Sequence, residues 1–92
     1  MDTNKANARA RKLGIEGRIS GADIKAQYER QDGCCFYCEA DLGDDWHVDH
    51  YIPFCLSGPN TPENVRIACA PCNYAKGTKR PDDFLRALAE GL

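Results

Sequence analysis

The chain has 92 residues, of which 42% are hydrophobic and 28% charged, and a net charge of −2. That length holds one small domain, which buries little more than about 60% of the surface its unfolded form exposes; domains near this limit often carry a staple such as a metal, disulfides or a partner, and six cysteines supply the means for one. The composition excludes wholesale disorder, and no apolar run approaches the roughly 18 residues of a membrane span. Charge is segregated: residues 1–30 carry +3, residues 31–65 carry −7 and residues 66–92 carry +2. A coat for non-specific nucleic-acid binding is basic throughout, so this pattern argues against one. The acidic centre suits a cation site, although a solvated acidic loop would look the same.

Residues 4–13 are rich in Ala, Arg and Lys and predict a short helix or arm, interrupted at Gly14 and Gly17. Ser20 is placed to cap a second helix, with Asp23 in its first turn, Ile24 and Tyr28 on one face and Gly33 at its end. A knuckle, Cys34-Cys35-Phe36-Tyr37-Cys38, leads through a polar turn to Trp46–Ile52, which has strand composition and stops at Pro53. After a loop with Ser57-Gly58-Pro59-Asn60, Val65–Cys69 predicts a second short strand. Pro71 opens a helix over Cys72–Lys76 that Gly77 closes, and a last helix runs from Pro81 to Glu90 with Phe84, Leu85 and Leu88 as its apolar stripe.

The opening residues lack the apolar core of a secretory signal, so a reducing, cytoplasmic setting is expected. There, cysteines hold metal more often than each other. Cys35-x-x-Cys38 and Cys69-x-x-Cys72 are two such knuckles, 30 residues apart, and together they complete a tetrahedral Zn²⁺ shell. Two disulfides or free thiols are the alternative. Cys34 also lies within ligand spacing of Cys38, but Cys35 makes the two knuckles match. Cys55, next to Phe54, reads as a small buried hydrophobe.

Between the knuckles stands His47-Val48-Asp49-His50-Tyr51-Ile52-Pro53. Alternation puts His47 and Asp49 on one strand face and Val48 and His50 on the other. The Asp–His neighbours could serve as metal ligand and general base, or simply share a structural hydrogen bond.

The longer pattern goes further. Cys35 and Cys38, then Asp49, His50 and Pro53, then Ser57-Gly58, then Asn64-Val65, then Cys69, Cys72, Asn73 and Lys76 stand in one order and spacing. This resembles the zinc-ribbon subgroup of the HNH endonucleases over roughly residues 18–85. Asn73 stands where the last His is usual, an HNN variant, and Ser57-Gly58 replaces Gly-Gly, a change the turn is expected to tolerate.

The resemblance implies a small α+β fold: a ββα-metal core with a four-cysteine zinc knuckle and flanking helices. The expected division is an N-terminal arm and helices over 1–33, the zinc-clamped core over 34–80 and the C-terminal helix over 81–92. It implies an endonuclease that hydrolyses DNA phosphodiester bonds, leaving 5′-phosphate and 3′-hydroxyl ends, with little sequence preference and a tendency to nick. His50 would be the general base, and Asp49 and Asn73 would hold one Mg²⁺ or Mn²⁺. Asn64, the motif's middle letter, would pin the loop that presents His50. The Zn²⁺ on Cys35, Cys38, Cys69 and Cys72 would be structural.

Lys76, Arg66, Lys79, Arg80 and His47 are the expected DNA contacts, with Arg9, Arg11, Lys12 and Arg18 as a second basic arm. Tyr37 and Trp46 read as core under the knuckle. Compact members of this kind suggest a phage origin, DNA-packaging proteins as partners, no membrane, and the cytoplasm of a bacterial or infected cell. The competing reading is a catalytically silent zinc-knuckle module that binds nucleic acid or protein.

Overall fold

The computed structural model describes residues 3–91, with side chains described for residues 5–91. Four helices surround one two-stranded sheet: α1 (Thr3–Lys12), α2 (Gly21–Arg30), β1 (Trp46–His50), β2 (Val65–Cys69), α3 (Ala70–Lys76) and α4 (Pro81–Ala89). Two single turns of 3-10 helix, Phe54–Leu56 and Pro62–Asn64, lie in the loop between the strands. None of these helices is long and apolar enough to cross a membrane.

The helix signals in the sequence act as expected. Ser20 Oγ accepts the Asp23 N–H at 3.2 Å while the Asp23 carboxylate accepts the Ser20 N–H at 2.9 Å, a reciprocal capping box. Pro71 sits in the first turn of α3, where its missing N–H removes no helical bond. In α4, Asp82 and Asp83 lie in the first turn and Arg86 in the last, each matched to the helix dipole. Its apolar stripe is narrower than expected: Phe84 is fully buried and Leu88 packs on the core, but Leu85 is exposed.

The strands pair antiparallel from Trp46↔Cys69 to His50↔Val65. β1 ends two residues before the expected Ile52. Both backbone groups of Ile52 are taken by the Asn64 side chain, whose Oδ1 accepts the Ile52 N–H at 2.9 Å and whose Nδ2 donates to the Ile52 carbonyl at 3.0 Å. A second Asn64 Nδ2 contact holds the Pro59 carbonyl at 2.9 Å. The amide thus ends the ladder and turns the chain. Gly58 lets the loop fold back, because a Cβ there would collide with the carbonyls of Ile52 and Pro53. Ser57 beside it adopts the left-handed conformation, with φ 69°.

The core gathers Ile19 and Ile24, Cys35, Tyr37 and Leu42 from the knuckle, Val48, Val65 and Ile67 from the sheet, and Phe84 from α4. Gln31, just past α2, ties this knuckle to β2. Its side chain accepts the Ile67 N–H at 3.0 Å and donates to the carbonyls of Ile67 at 2.9 Å and Cys34 at 2.7 Å. Cys55 differs from expectation: it is exposed, and Phe54 is the buried member of the pair.

Asn64 is buried, and its removal takes the side-chain partner from three part-buried backbone groups. Asn64→Ala is expected to lower stability by about 1–3 kcal/mol, read as a lower urea midpoint with an unchanged slope.

Candidate active site and metal clamp

Cys35, Cys38, Cys69 and Cys72 bring their sulfurs within 4.8 Å of one another. The Cys38–Cys69 Sγ separation is 3.7 Å, close to the roughly 3.8 Å edge of a tetrahedron with metal–sulfur bonds of about 2.3 Å. Against the upward push of burial, backbone N–H donors at Cys38, Cys69 and Tyr37 draw the Cys35 thiol down to about 7. Cys72 is pushed up by burial and by the thiols around it. Four thiols this close ionise together only around a cation, so the donor set fits a bound metal. None of the six cysteines is bonded to another. Cys34 is outside the cluster, its thiol turned to the Asp32 carbonyl and Asp41.

The clamp closes the hairpin at the point where β2 passes into α3. Asp49 and His50, at the far end of β1, and Asn73, on α3, line one cleft of about 380 Å³ with Arg9, Phe54 and Tyr74. Asp49 is buried. Its carboxylate accepts the Tyr37 hydroxyl on one oxygen and the Lys76 ammonium, at 3.3 Å, on the other. Burial pushes its pKa above the ordinary value, opposed by Tyr37, Lys76 and His50. These two bonds use half of the four lone-pair directions of a carboxylate. Asp49 therefore retains capacity for a cation, and the Asn73 amide oxygen is a second hard donor.

His50 packs its ring on Phe54, centroids 4.2 Å apart, and the Arg9 guanidinium lies 5.4 Å over the same Phe54 ring. Its Nε2 is 2.9 Å from Asn60 Oδ1. Burial lowers the His50 pKa, with Asn60 and Asp49 pulling it up and Arg9 and Lys76 adding to the fall. The ring is neutral at neutral pH, the form that accepts a proton.

The expected DNA contacts divide. Lys76 is a correction: it is 0% exposed, bonded to Asp49 and, at 3.1 Å, to the His50 carbonyl. A lysine next to a buried carboxylate turns inward because an unpaired charge there costs several kcal/mol. Lys79 caps α3 by donating to the Ala75 carbonyl at 2.7 Å, and Arg80 is exposed just before α4. Arg66 stacks on Phe36 and Tyr51 and donates to the carbonyls of Glu63 and Val65. His47 is half-buried near Tyr74, on the side of Asp45. Trp46 packs against Tyr28 and the core.

Three contributors carried no signal in the sequence. Asn60 is fully buried but reads as an ordinary turn residue. Asn7 is buried on a helix whose other residues are alanines and polar or charged side chains. Tyr37 is core, as expected, yet its hydroxyl also serves Asp49.

A hairpin and following helix joined at a four-thiol cluster able to hold a metal, with an acid, an imidazole and an amide on one cleft, define a small α+β protein of the ββα-metal class. Residues 35–79 match the family model for HNH endonuclease. The crystal structure of the Type II-C Cas9 enzyme from Actinomyces naeslundii is similar to it, with a TM-score of 0.62 and 27% identity over 97% of this chain and 10% of that one. The chain thus spans about a tenth of that enzyme's length. No curated protein sequence matches it.

Two outcomes follow from this geometry. Cys69→Ser should lose tightly bound metal, falling from one equivalent to none by elemental analysis, and should lose its cooperative unfolding transition. Lys76→Met should cost about 3–5 kcal/mol in urea titrations without added divalent cation, because Asp49 loses its buried partner and must either stand unpaired or take up a proton, whereas Lys79→Ala should stay within about 0.5 kcal/mol.

Proposed function

We propose that this chain is a divalent-metal-dependent endonuclease that hydrolyses DNA phosphodiester bonds with little sequence preference, one strand at a time. The observation that carries this is the convergence of Asp49, His50 and Asn73 on one cleft, between elements that the four thiols hold together. The four-cysteine set, soft and fully thiolate, suits Zn²⁺ in a structural role, since no coordination position is left open. Asp49 and Asn73 offer hard oxygens, which suit Mg²⁺ or Mn²⁺.

A cation held by Asp49 and Asn73 would supply charge stabilisation at the phosphate and at the departing 3′ oxygen. His50 takes the proton from the attacking water. Phe54 holds its ring in place, and burial keeps it neutral. Lys76 and Tyr37 fix the Asp49 carboxylate so that its free lone pairs need no reorganisation. Arg9, exposed at the cleft, supplies positive charge for the incoming backbone, with Lys79 and Arg80 beyond it. The products are 5′-phosphate and 3′-hydroxyl ends. One cleft addresses one strand, which makes nicks the first product. Binding through a few exposed cations is weak and salt-sensitive.

A second reading has one observation in its favour. Asp49 is already paired with Lys76 and Tyr37, so the acid has a structural use in a silent zinc-knuckle binding module.

Supercoiled plasmid with Mg²⁺ or Mn²⁺ separates the two. The nuclease converts it to open circles before linear DNA, and His50→Ala reduces the rate by about 10²–10⁴-fold. Undiminished cleavage by His50→Ala removes the assigned base. Retention of DNA in a gel shift, with no cleavage by metal-loaded wild type, establishes the module.

A further inference from the structure

We infer that Asn7, on the first helix, and Asn60, in the interstrand loop, are positioning residues that fix which nitrogen of His50 carries the proton. The catalytic consequence rests on the nuclease reading above; the tautomer itself does not.

The chain of hydrogen bonds has a direction. Asn7 Oδ1 accepts the Ile19 N–H at 3.0 Å, and Asn7 Nδ2 donates to the Ile19 carbonyl at 2.9 Å. A backbone N–H only donates and a carbonyl only accepts, so this amide has one orientation. Asn60 Nδ2 then donates to Asn7 Oδ1 at 2.8 Å and to the Gly17 carbonyl at 3.3 Å. Rotating Asn60 by half a turn would set its oxygen against two acceptors. Its Oδ1 must therefore be the atom facing His50 Nε2 at 2.9 Å, and an amide oxygen only accepts. Nε2 carries the hydrogen, and Nδ1 keeps the lone pair.

Burial makes the polarity binding. Asn60 is 0% exposed and Asn7 4%, so water cannot substitute for a lost partner. Gly17 belongs to the same device, because a Cβ there would meet the Asn60 backbone carbonyl. Every buried side-chain polar atom among the described residues has a partner. Among the described residues Nδ1 of His50 has none, so it is not a fully buried atom, and on a ring that lines the cleft it is the nitrogen left to take a proton from water.

The two histidines make the test direct. In zinc-loaded protein labelled with ¹⁵N-histidine, with both imidazoles neutral, long-range ¹⁵N–¹H correlation reports each ring's tautomer, and His50→Ala identifies the His50 signals. Wild type should show one His50 tautomer, protonated at Nε2, with that hydrogen protected from exchange. Asn7→Ala should lose the protection and mix the tautomers. Its kcat on plasmid should fall up to about 100-fold with KM for DNA unchanged. Asn7→Asp, whose buried carboxyl when protonated keeps an oxygen for Asn60 Nδ2 and a hydroxyl for the Ile19 carbonyl, should restore the Nε2–H signal and most of kcat.

A wild-type ring protonated at Nδ1 overturns the inference. So does a folded Asn7→Ala with an unchanged His50 signal. If Asn7→Ala does not fold, wild type and Asn7→Asp decide. An absence of cleavage in wild type counts against the nuclease reading alone, since the spectra still report the tautomer.

Discussion

Two pairs of thiols decide where everything else can be. The first knuckle leaves α2, the second ends β2 and begins α3, and their four sulfurs meet in one small volume. At this length the core is small, and a cross-link between the hairpin and the short helix has much to add to packing. Closing a 30-residue loop between Cys38 and Cys69 sets that angle. Once it is set, Asn73 stands one residue past a clamp thiol and one cleft away from the end of β1. The acid and the imidazole at that end owe their neighbour to the clamp.

Around the cleft, charge is arranged so that each buried group has its counterpart inside the protein. Asp49 has Lys76 and Tyr37, Lys76 also has the His50 carbonyl, and His50 has Asn60. The acidic centre of the sequence thus resolves into one buried carboxylate with an internal counter-charge, and into exposed acids such as Asp44 and Asp45 in the turn before β1.

Much of this was legible in the residues because the signals were local. The capping box at Ser20 and Asp23, Pro71 at a helix start and the paired C-x-x-C spacings each express a rule that spans a few residues. The convergence of Asp49, His50 and Asn73 came from a motif, since no periodicity brings residues 49 and 73 together. What stayed hidden depended on long-range partners. Lys76 reads as a phosphate contact on a helix face, and only the position of Asp49 turns it inward. Cys55 reads as a buried thiol, but the short turn at Phe54–Leu56 has room for one inward side chain and Phe54 takes it. Asn60 bonds Asn7 across 53 residues, a separation at which an asparagine carries no mark distinguishing it from a surface turn.

That last bond changes what counts as the working unit. The span that matches the family begins at residue 35, after α1, Gly17 and Ile19. A fragment trimmed to that edge would retain every motif residue and every clamp thiol, and would leave Asn60 with neither Asn7 nor the Gly17 carbonyl to hold it. The opening helix is therefore no detachable appendage: through two amides it reaches the imidazole, and shortening the protein from that end would cut this chain of bonds without touching a single letter of the signature.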